Sequence, residues 1–151
     1  MSDLRELYQE IILDHNRRPR NFGELGDADH QAVGHNPLCG DRIVVQVRIA
    51  DGRIEDVKFT GAGCAISKAS ASLMTDAIKG KTIDEVHQLF GDFHRMVTSE
   101  LDTMPPVDRL KKLAAFSGVR EFPTRVKCAS LAWHTLEAAL QEDHRLVTTE
   151  A

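Results

Sequence analysis

Residues 44–63, VVQVRIADGRIEDVKFTGAG, contain two β-strand patterns on either side of a turn signal. The first half is rich in valine and isoleucine, which favour strands, and the second half continues with Ile54, Val57 and Phe59. Asp51-Gly52, between the two halves, is a typical hairpin dipeptide. Because a hairpin joins antiparallel strands and residues 28–34 can add a third strand, the sequence predicts a three-stranded antiparallel sheet.

Residues 3–15 and several segments after residue 65 have a helical period instead. In residues 3–15 the apolar side chains that share one helical face are Leu4, Leu7, Tyr8, Ile11 and Ile12. After residue 65, a second helix is predicted to end at Gly80, and a third is predicted to begin at Thr82, with Glu85 as its capping-box partner. A short helix is predicted near residues 107–117, ending at Gly118. The last helix is predicted to begin near Pro123–Arg125 and to run to about Gln141.

The order of these elements predicts the fold class. Strands followed by helices indicate an α+β protein, with a small three-stranded antiparallel sheet and helices packed mainly on one face. The length of 151 residues favours a single domain that spans residues 1–151.

The composition excludes several classes of protein. A formal net charge of -4 and a pI of about 6.0 argue against a general nucleic-acid binder, which usually has a basic face. We find no apolar run near the roughly 18 residues of a membrane span. Residues 1–6 have no apolar signal core, so we expect a cytoplasmic protein.

The three cysteines occupy distinctive local settings, and they cannot all pair with one another within one chain. They lie in the segments NPLCGD (36–41), GAGCAIS (61–67) and RVKCASL (125–131). In a reducing compartment such thiols indicate metal binding or reactivity, although buried cysteine is also a common small hydrophobe.

Cys64 is expected at a helix start, where the helix dipole favours a thiolate. Asp41 lies two residues after Cys39, so both side chains could reach one ion, and zinc accepts cysteine sulfur and aspartate oxygen. Alternatively, Asp41 caps N–H groups in a turn. Spacing alone does not establish that the three thiols converge.

The sequence resembles the U-type iron–sulfur cluster assembly proteins, the IscU/SufU family, over nearly its whole length. The matching segments are ILDH (12–15), PRNFG (19–23), NPLCGD (36–41), FTGAGCAIS (59–67), ASAS (69–72) and RVKC (125–128). The resemblance implies a SufE/IscU-like fold in which Cys39, Asp41, Cys64 and Cys128 converge as metal ligands.

Two departures point to the SufU branch of that family. IscU-type scaffolds have histidine immediately before the third cysteine, where this chain has Lys127, and they lack the added stretch around Gly91–Gly118. Members of the SufU branch hold zinc and accept sulfur from a cysteine desulfurase.

The resemblance therefore predicts a zinc-bound sulfur acceptor. It would take persulfide sulfur from a pyridoxal-phosphate-dependent cysteine desulfurase and pass it to downstream cluster assembly proteins. Cys39 is the expected acceptor, because it lies on a loop beside Gly40 and can leave the metal with little disruption. Arg125, one turn before Cys128, is either a partner contact or a plain surface arginine.

Two other functions are compatible with some of these residues. The same ligands would suit a non-enzymatic scaffold for a [2Fe–2S] cluster, although Lys127 offers no imidazole nitrogen. A cysteine hydrolase would need a histidine base beside its nucleophile, and the histidines show no recognisable arrangement of that kind.

Overall fold

A computed structural model of the protein describes residues 2–37, 40–100, 107–141 and 147–148. Strands β1 (His30–Asn36), β2 (Asp41–Ala50) and β3 (Arg53–Ala62) form the antiparallel sheet that the sequence predicts. A short strand, β4 (Val147–Thr148), adds to the free edge of β1 in parallel orientation, giving the order β3-β2-β1-β4. The prediction of a three-stranded antiparallel sheet is thus confirmed, with this one addition.

The β2–β3 hairpin turns at Asp51-Gly52, as the sequence predicts. Both residues have positive φ, 54° and 74°, which is the backbone conformation of a type I′ turn. The turn, together with a one-residue register shift between Arg48 and Ile49, sets a register in which Val45 lies opposite Phe59 and Val47 opposite Val57. These four side chains are almost fully buried, so one face of the hairpin forms one wall of the core.

The helices follow the predicted order. They are α1 (Ser2–Arg17), α2 (Ala65–Ile78), α3 (Ile83–Val97), α4 (Val107–Leu110) and α5 (Pro123–Leu140), with a 3₁₀ segment (Lys111–Glu121) between the last two. The capping box at the start of α3 is present, because Thr82 and Glu85 exchange side-chain-to-backbone hydrogen bonds of 2.9 and 3.1 Å. Among the described residues, no helix is long and apolar enough to cross a membrane.

The predicted helix end at Gly118 is wrong. Gly118 is absent from the glycines with positive φ, so it does not adopt the left-handed conformation that ends a helix. The 3₁₀ segment continues to Glu121 and stops at Phe122, whose backbone is extended. Proline disfavours helical backbone in the residue before it, so Pro123 determines where this segment ends.

Helix α5 lies close against the sheet, packed across β1 and β2, while α2 packs against β3. Gly34 permits this approach, because a Cβ atom there would lie 2.0 Å from Oγ1 of Thr135. On its other side, α5 contributes Trp133, which stacks on Phe93 with ring centroids 4.8 Å apart. The helices therefore pack on one face of the sheet, and α5 is fixed in position on both sides.

Candidate metal centre

Three residues from separate elements meet at one end of the sheet. Asp41 is the first residue of β2, Cys64 precedes the first residue of α2, and Cys128 is a buried residue of α5. One carboxylate oxygen and the two sulfur atoms all lie within 4.8 Å of one another. Sulfur and carboxylate oxygen are donors that zinc accepts, so this group could hold a metal ion.

Asp41 is fully buried, and its carboxylate is held by the start of α2. The backbone N–H of Cys64 donates a 2.7 Å hydrogen bond to Oδ1, and the Cys64 thiol lies 3.7 Å from Oδ2. Gly63 makes room for the carboxylate, because a Cβ atom there would lie 2.5 Å from Oδ1. Glycine at position 63 therefore permits the close approach of the Asp41 side chain.

The ion pairs among the described residues do not include Asp41. Burying a carboxylate is costly unless a cation or a metal compensates its charge. The only compensation that the described residues offer is the hydrogen bonding from Cys64. A buried carboxylate beside two sulfur atoms therefore fits a bound cation.

Cys64 occupies the N-cap of α2, at the helix start where the sequence places it. Its φ and ψ of -72° and 167° are extended, and Sγ accepts a 3.4 Å hydrogen bond from the backbone N–H of Ser67. Sulfur thus takes the capping role that a serine or aspartate oxygen usually has.

Cys128 is 2% exposed, and Asn36 at the end of β1 contacts its sulfur. The Asn36 side-chain amide donates to Sγ over 3.5 Å, and Asn36 itself is fully buried. Asn36 is a site residue that the sequence did not predict, although it belongs to the NPLCGD segment. The signal that could have identified it is an amide side chain next to Pro37, three residues before a candidate ligand.

Cys39, the fourth residue of the predicted site, lies outside the described residues. The residues on either side of it are described. Asn36 pairs with Asp41 across the ends of β1 and β2, and Gly40 has a φ of +71°, in the left-handed region that favours glycine. The structure therefore brings together three of the four predicted ligands.

A cleft of about 1030 Å³ opens beside Cys64, between α1 and the 3₁₀ segment. Among the described residues, its lining includes Arg5, Arg120, Arg125 and a single acidic residue, Glu121. The Arg125 guanidinium lies 4.4 Å above the ring of Phe122, which is 47% exposed. Arg125 thus lies at the edge of a cleft with an excess of positive charge, next to the candidate metal centre.

Comparison with known proteins places this architecture in a family. The NifU-like N terminal domain matches residues 7–129. The chain is 41% identical over 145 residues to the zinc-dependent sulfurtransferase SufU of Bacillus subtilis (strain 168), covering 94% of this chain and 95% of that one. It is 38% identical over 141 residues to the iron-sulfur cluster assembly scaffold protein IscU of Streptococcus pyogenes serotype M1, covering 93% and 87%.

A solved structure shares the fold as well. The putative iron-sulfur cluster assembly scaffold protein for the SUF system from Fervidobacterium islandicum AW-1 superposes with a TM-score of 0.80 at 35% identity, covering 87% of this chain and 94% of that one. These likenesses extend over most of the chain and include all three elements that form the site. The chain therefore belongs to the NifU-like N-terminal domain family, the U-type iron–sulfur cluster assembly proteins.

Proposed function

We propose that this protein is a zinc-bound sulfur acceptor in iron–sulfur cluster assembly. It takes sulfur from the persulfide of a pyridoxal-phosphate-dependent cysteine desulfurase and passes it to downstream assembly proteins. The observation that supports this most directly is the buried Asp41 carboxylate within 4.8 Å of two cysteine sulfurs. The similarity to a protein named as a zinc-dependent sulfurtransferase supports the same function.

Four residues would hold the zinc ion: Cys39, Asp41, Cys64 and Cys128. The last three are already neighbours, and Cys39 lies two residues before Asp41 in the chain. When bound, zinc would supply a fixed positive charge that keeps the ligand sulfurs deprotonated at neutral pH. The donor set of sulfur and oxygen, with one uncompensated carboxylate, fits that ion.

Cys39 is the proposed sulfur acceptor, because the other two cysteines are fixed by the fold. Cys64 caps α2 through hydrogen bonds to Asp41 and Ser67, and Cys128 is 2% exposed in a packed helix. Cys39 instead belongs to the connection between β1 and β2, beside Gly40. Its motion would disturb neither the start of α2 nor the core contacts of α5.

The transfer is a thiol–disulfide exchange in which atoms and charges balance. The Cys39 thiolate attacks the outer sulfur of the desulfurase persulfide, and a new S–S bond forms on Cys39. The S–S bond of the donor breaks, and its electron pair leaves with the desulfurase cysteine as a thiolate. No external oxidant or reductant is required, because one persulfide replaces another.

The cleft beside Cys64 is the proposed docking region for the desulfurase, with Arg125 as a partner contact. In the described part of its lining, three arginines, Arg5, Arg120 and Arg125, outnumber the single acidic residue Glu121. An acidic segment of the partner would therefore be attracted to this surface. We also propose that residues 1–151 act as one domain in the cytoplasm, where cysteines stay reduced.

The experiment combines the full-length protein, purified without oxygen, with a cysteine desulfurase and cysteine. We expect about one zinc per chain, a persulfide on Cys39 that mass spectrometry detects after alkylation, and faster desulfurase turnover. Cys39→Ser should abolish the stimulation and leave the fold intact. Iron and sulfide in place of zinc, or a persulfide on Cys128 with Cys39→Ser still active, would favour a [2Fe–2S] scaffold and contradict the proposal.

A further inference from the structure

The hydroxyl of Ser67 is buried and has no hydrogen-bond partner. Ser67 is 0% exposed, and its Oγ is one of two buried side-chain polar atoms in the described part of the chain that lack a partner. The other is Nε1 of Trp133, which lies among aromatic rings of the core. Buried hydroxyls nearly always form a hydrogen bond, so an unpaired one needs an explanation.

Ser67 is unusual among the buried serines of α2. Ser70 donates a 2.6 Å hydrogen bond to the carbonyl oxygen of Ala129, and the Ser72 hydroxyl contacts His15 and the backbone N–H of Arg20 at 2.7 and 2.8 Å. All three serines are 0% exposed. The same helix therefore satisfies two of its three buried serine hydroxyls and leaves the third without a partner.

The unpaired hydroxyl belongs to the residue of this set that is nearest the metal centre. The backbone N–H of Ser67 contacts Sγ of Cys64 at 3.4 Å. Ser67 also lies three residues before Ser70, so the two share the helix face that contacts α5. Ser70 reaches Ala129, which is the residue after Cys128. Ser67 thus lies beside the Cys64 sulfur, and the serine one turn further along its helix contacts α5 next to Cys128.

We propose that Ser67 is a positioning residue of the metal centre, whose hydroxyl donates a hydrogen bond to a cysteine sulfur of the site when a metal ion is bound. The inference rests on the proposed zinc-bound function. Metal binding removes the proton from a thiol, and a negatively charged sulfur accepts hydrogen bonds more strongly than a neutral one. The Ser67 hydroxyl, which has no partner among the described residues, would gain one when a metal ion binds.

The proposed hydrogen bond predicts that removing the Ser67 hydroxyl has opposite effects on the metal-free and the metal-bound protein. Removing an unpaired buried hydroxyl relieves a desolvation cost, so Ser67→Ala should leave the metal-free protein as stable as the wild type or more stable. Removing a hydrogen bond to a metal ligand weakens metal binding, typically by tenfold or more. Ser67→Ala should therefore preserve or raise the stability of the metal-free protein and lower its affinity for the metal ion.

The test compares Ser67→Ala with Ser72→Ala in the full chain after zinc has been removed with a chelator. Thermal unfolding of the metal-free proteins measures their stability. Competition between each protein and a chelator for Co²⁺ and Zn²⁺ measures the metal affinity. Ser72→Ala is the matched control, because its hydroxyl is equally buried but already has partners. It should lower the melting temperature and leave the metal affinity unaltered.

For Ser67→Ala we expect an unchanged or higher melting temperature without metal, an affinity about tenfold lower, and a shift of the Co²⁺–thiolate absorption band. A lower melting temperature of the metal-free variant, or an unaltered affinity and spectrum, would overturn the inference alone. A wild-type chain that binds neither ion would overturn the proposed zinc site and this inference with it.

Discussion

The backbone N–H of Cys64 donates a 2.7 Å hydrogen bond to the carboxylate of Asp41, and this contact joins the start of α2 to the start of β2. One carboxylate oxygen thus fixes the helix terminus, while the other faces the Cys64 sulfur at 3.7 Å. The metal centre and the junction between sheet and helix consequently share a side chain. Perturbing either one should affect the other.

Asp41→Ala should weaken zinc binding without abolishing it. Three thiolates remain as donors, and water can fill the open position, so zinc should also exchange faster. Chelator competition and stopped-flow exchange measure the two effects. Asp41→Asn is the informative companion, because it retains an oxygen for the Cys64 N–H but removes the charge. If the zinc affinity of Asp41→Ala equals that of the wild type, Asp41 is a turn-capping residue and not a ligand.

Gly63→Ala should disrupt the site by displacing the Asp41 carboxylate. The new methyl group would lie 2.5 Å from Oδ1 and 2.9 Å from Cγ of Asp41, closer than side-chain atoms can approach. We expect a loss of about 1–3 kcal/mol in stability from the crowding, together with weaker zinc binding. Thermal unfolding measures the loss of stability, and chelator competition measures the zinc affinity.

Gly26→Ala is the matched control for this prediction. A Cβ atom at Gly26 would have no neighbour within 4 Å, so zinc affinity should be unaltered there. Equal zinc affinities for Gly63→Ala and Gly26→Ala would show that the close approach at Gly63 does not matter for the site.

Removing zinc should lower the melting temperature. Without a metal ion, the buried Asp41 carboxylate lies beside two cysteine sulfurs with no cation among the described residues to compensate it. Binding to the folded state adds its free energy to folding, since the unfolded chain has no preformed site. Calorimetry before and after chelation, followed by addition of zinc, gives the comparison. A melting curve that is identical after proven metal removal would count against the prediction.

Arg125→Ala should weaken the response to a cysteine desulfurase and leave zinc affinity unaltered. The guanidinium lies over Phe122 at the edge of the cleft and contacts none of the described ligands. We expect a higher concentration of protein for half-maximal stimulation of the desulfurase, measured by sulfide release. Arg18→Ala, at a site with an 83% exposed side chain, is the control and should behave like the wild type. If the two variants behave alike, Arg125 is a plain surface arginine.

His15 should make the metal-free protein less stable as the pH falls below about 6.5. The side chain is 3% exposed, and Nδ1 contacts the Ser72 hydroxyl at 2.7 Å. Burial, and then the positive charge of Arg20, lower the pKa of His15 in the folded protein. The unfolded chain therefore takes up the proton first. The stability that neutral His15 contributes is fully present above the pKa of the unfolded chain. It is lost as the pH falls from that value through the lower pKa of the folded protein.

Melting temperatures between about pH 7.5 and 5.5, in the presence of a chelator, test this expectation. His15→Asn should show a smaller decrease than the wild type, because it has no group that titrates in this range. Some dependence should remain, since burial and the nearby His94 also lower the pKa of His134. If the melting temperatures of wild type and His15→Asn fall equally with pH, groups other than His15 cause the pH dependence.

The features that the sequence predicted well are those determined by neighbouring residues. Asp51-Gly52 adopts the hairpin turn because both positions need positive φ, and Thr82 caps α3 because Glu85 is within reach of it. Cys64 lies at a helix start because the helical period begins directly after it, at Ala65. The strand patterns and the helix order depend on hydrophobic period, which is also local.

The features that the sequence could not give depend on contacts between distant segments. The approach of Cys64 to Cys128 results from the packing of α5 on the sheet, and only family resemblance anticipated it. The contact of Asn36 with Cys128 joins residues 92 positions apart. The predicted end at Gly118 failed because a glycine ends a helix only where the backbone becomes left-handed, and Pro123 determines the end instead.

The distribution of the ligands along the chain has a consequence for when metal can be acquired during synthesis. Asp41 and Cys64 emerge from the ribosome early, but Cys128 follows 64 positions after Cys64, in the last of the described helices. A nascent chain that ends before α5 lacks Cys128, one of the four proposed ligands, and the helix that buries it. If these four residues bind zinc, the complete site forms only after nearly complete translation, and truncated products that lack α5 would compete poorly for the cell's zinc.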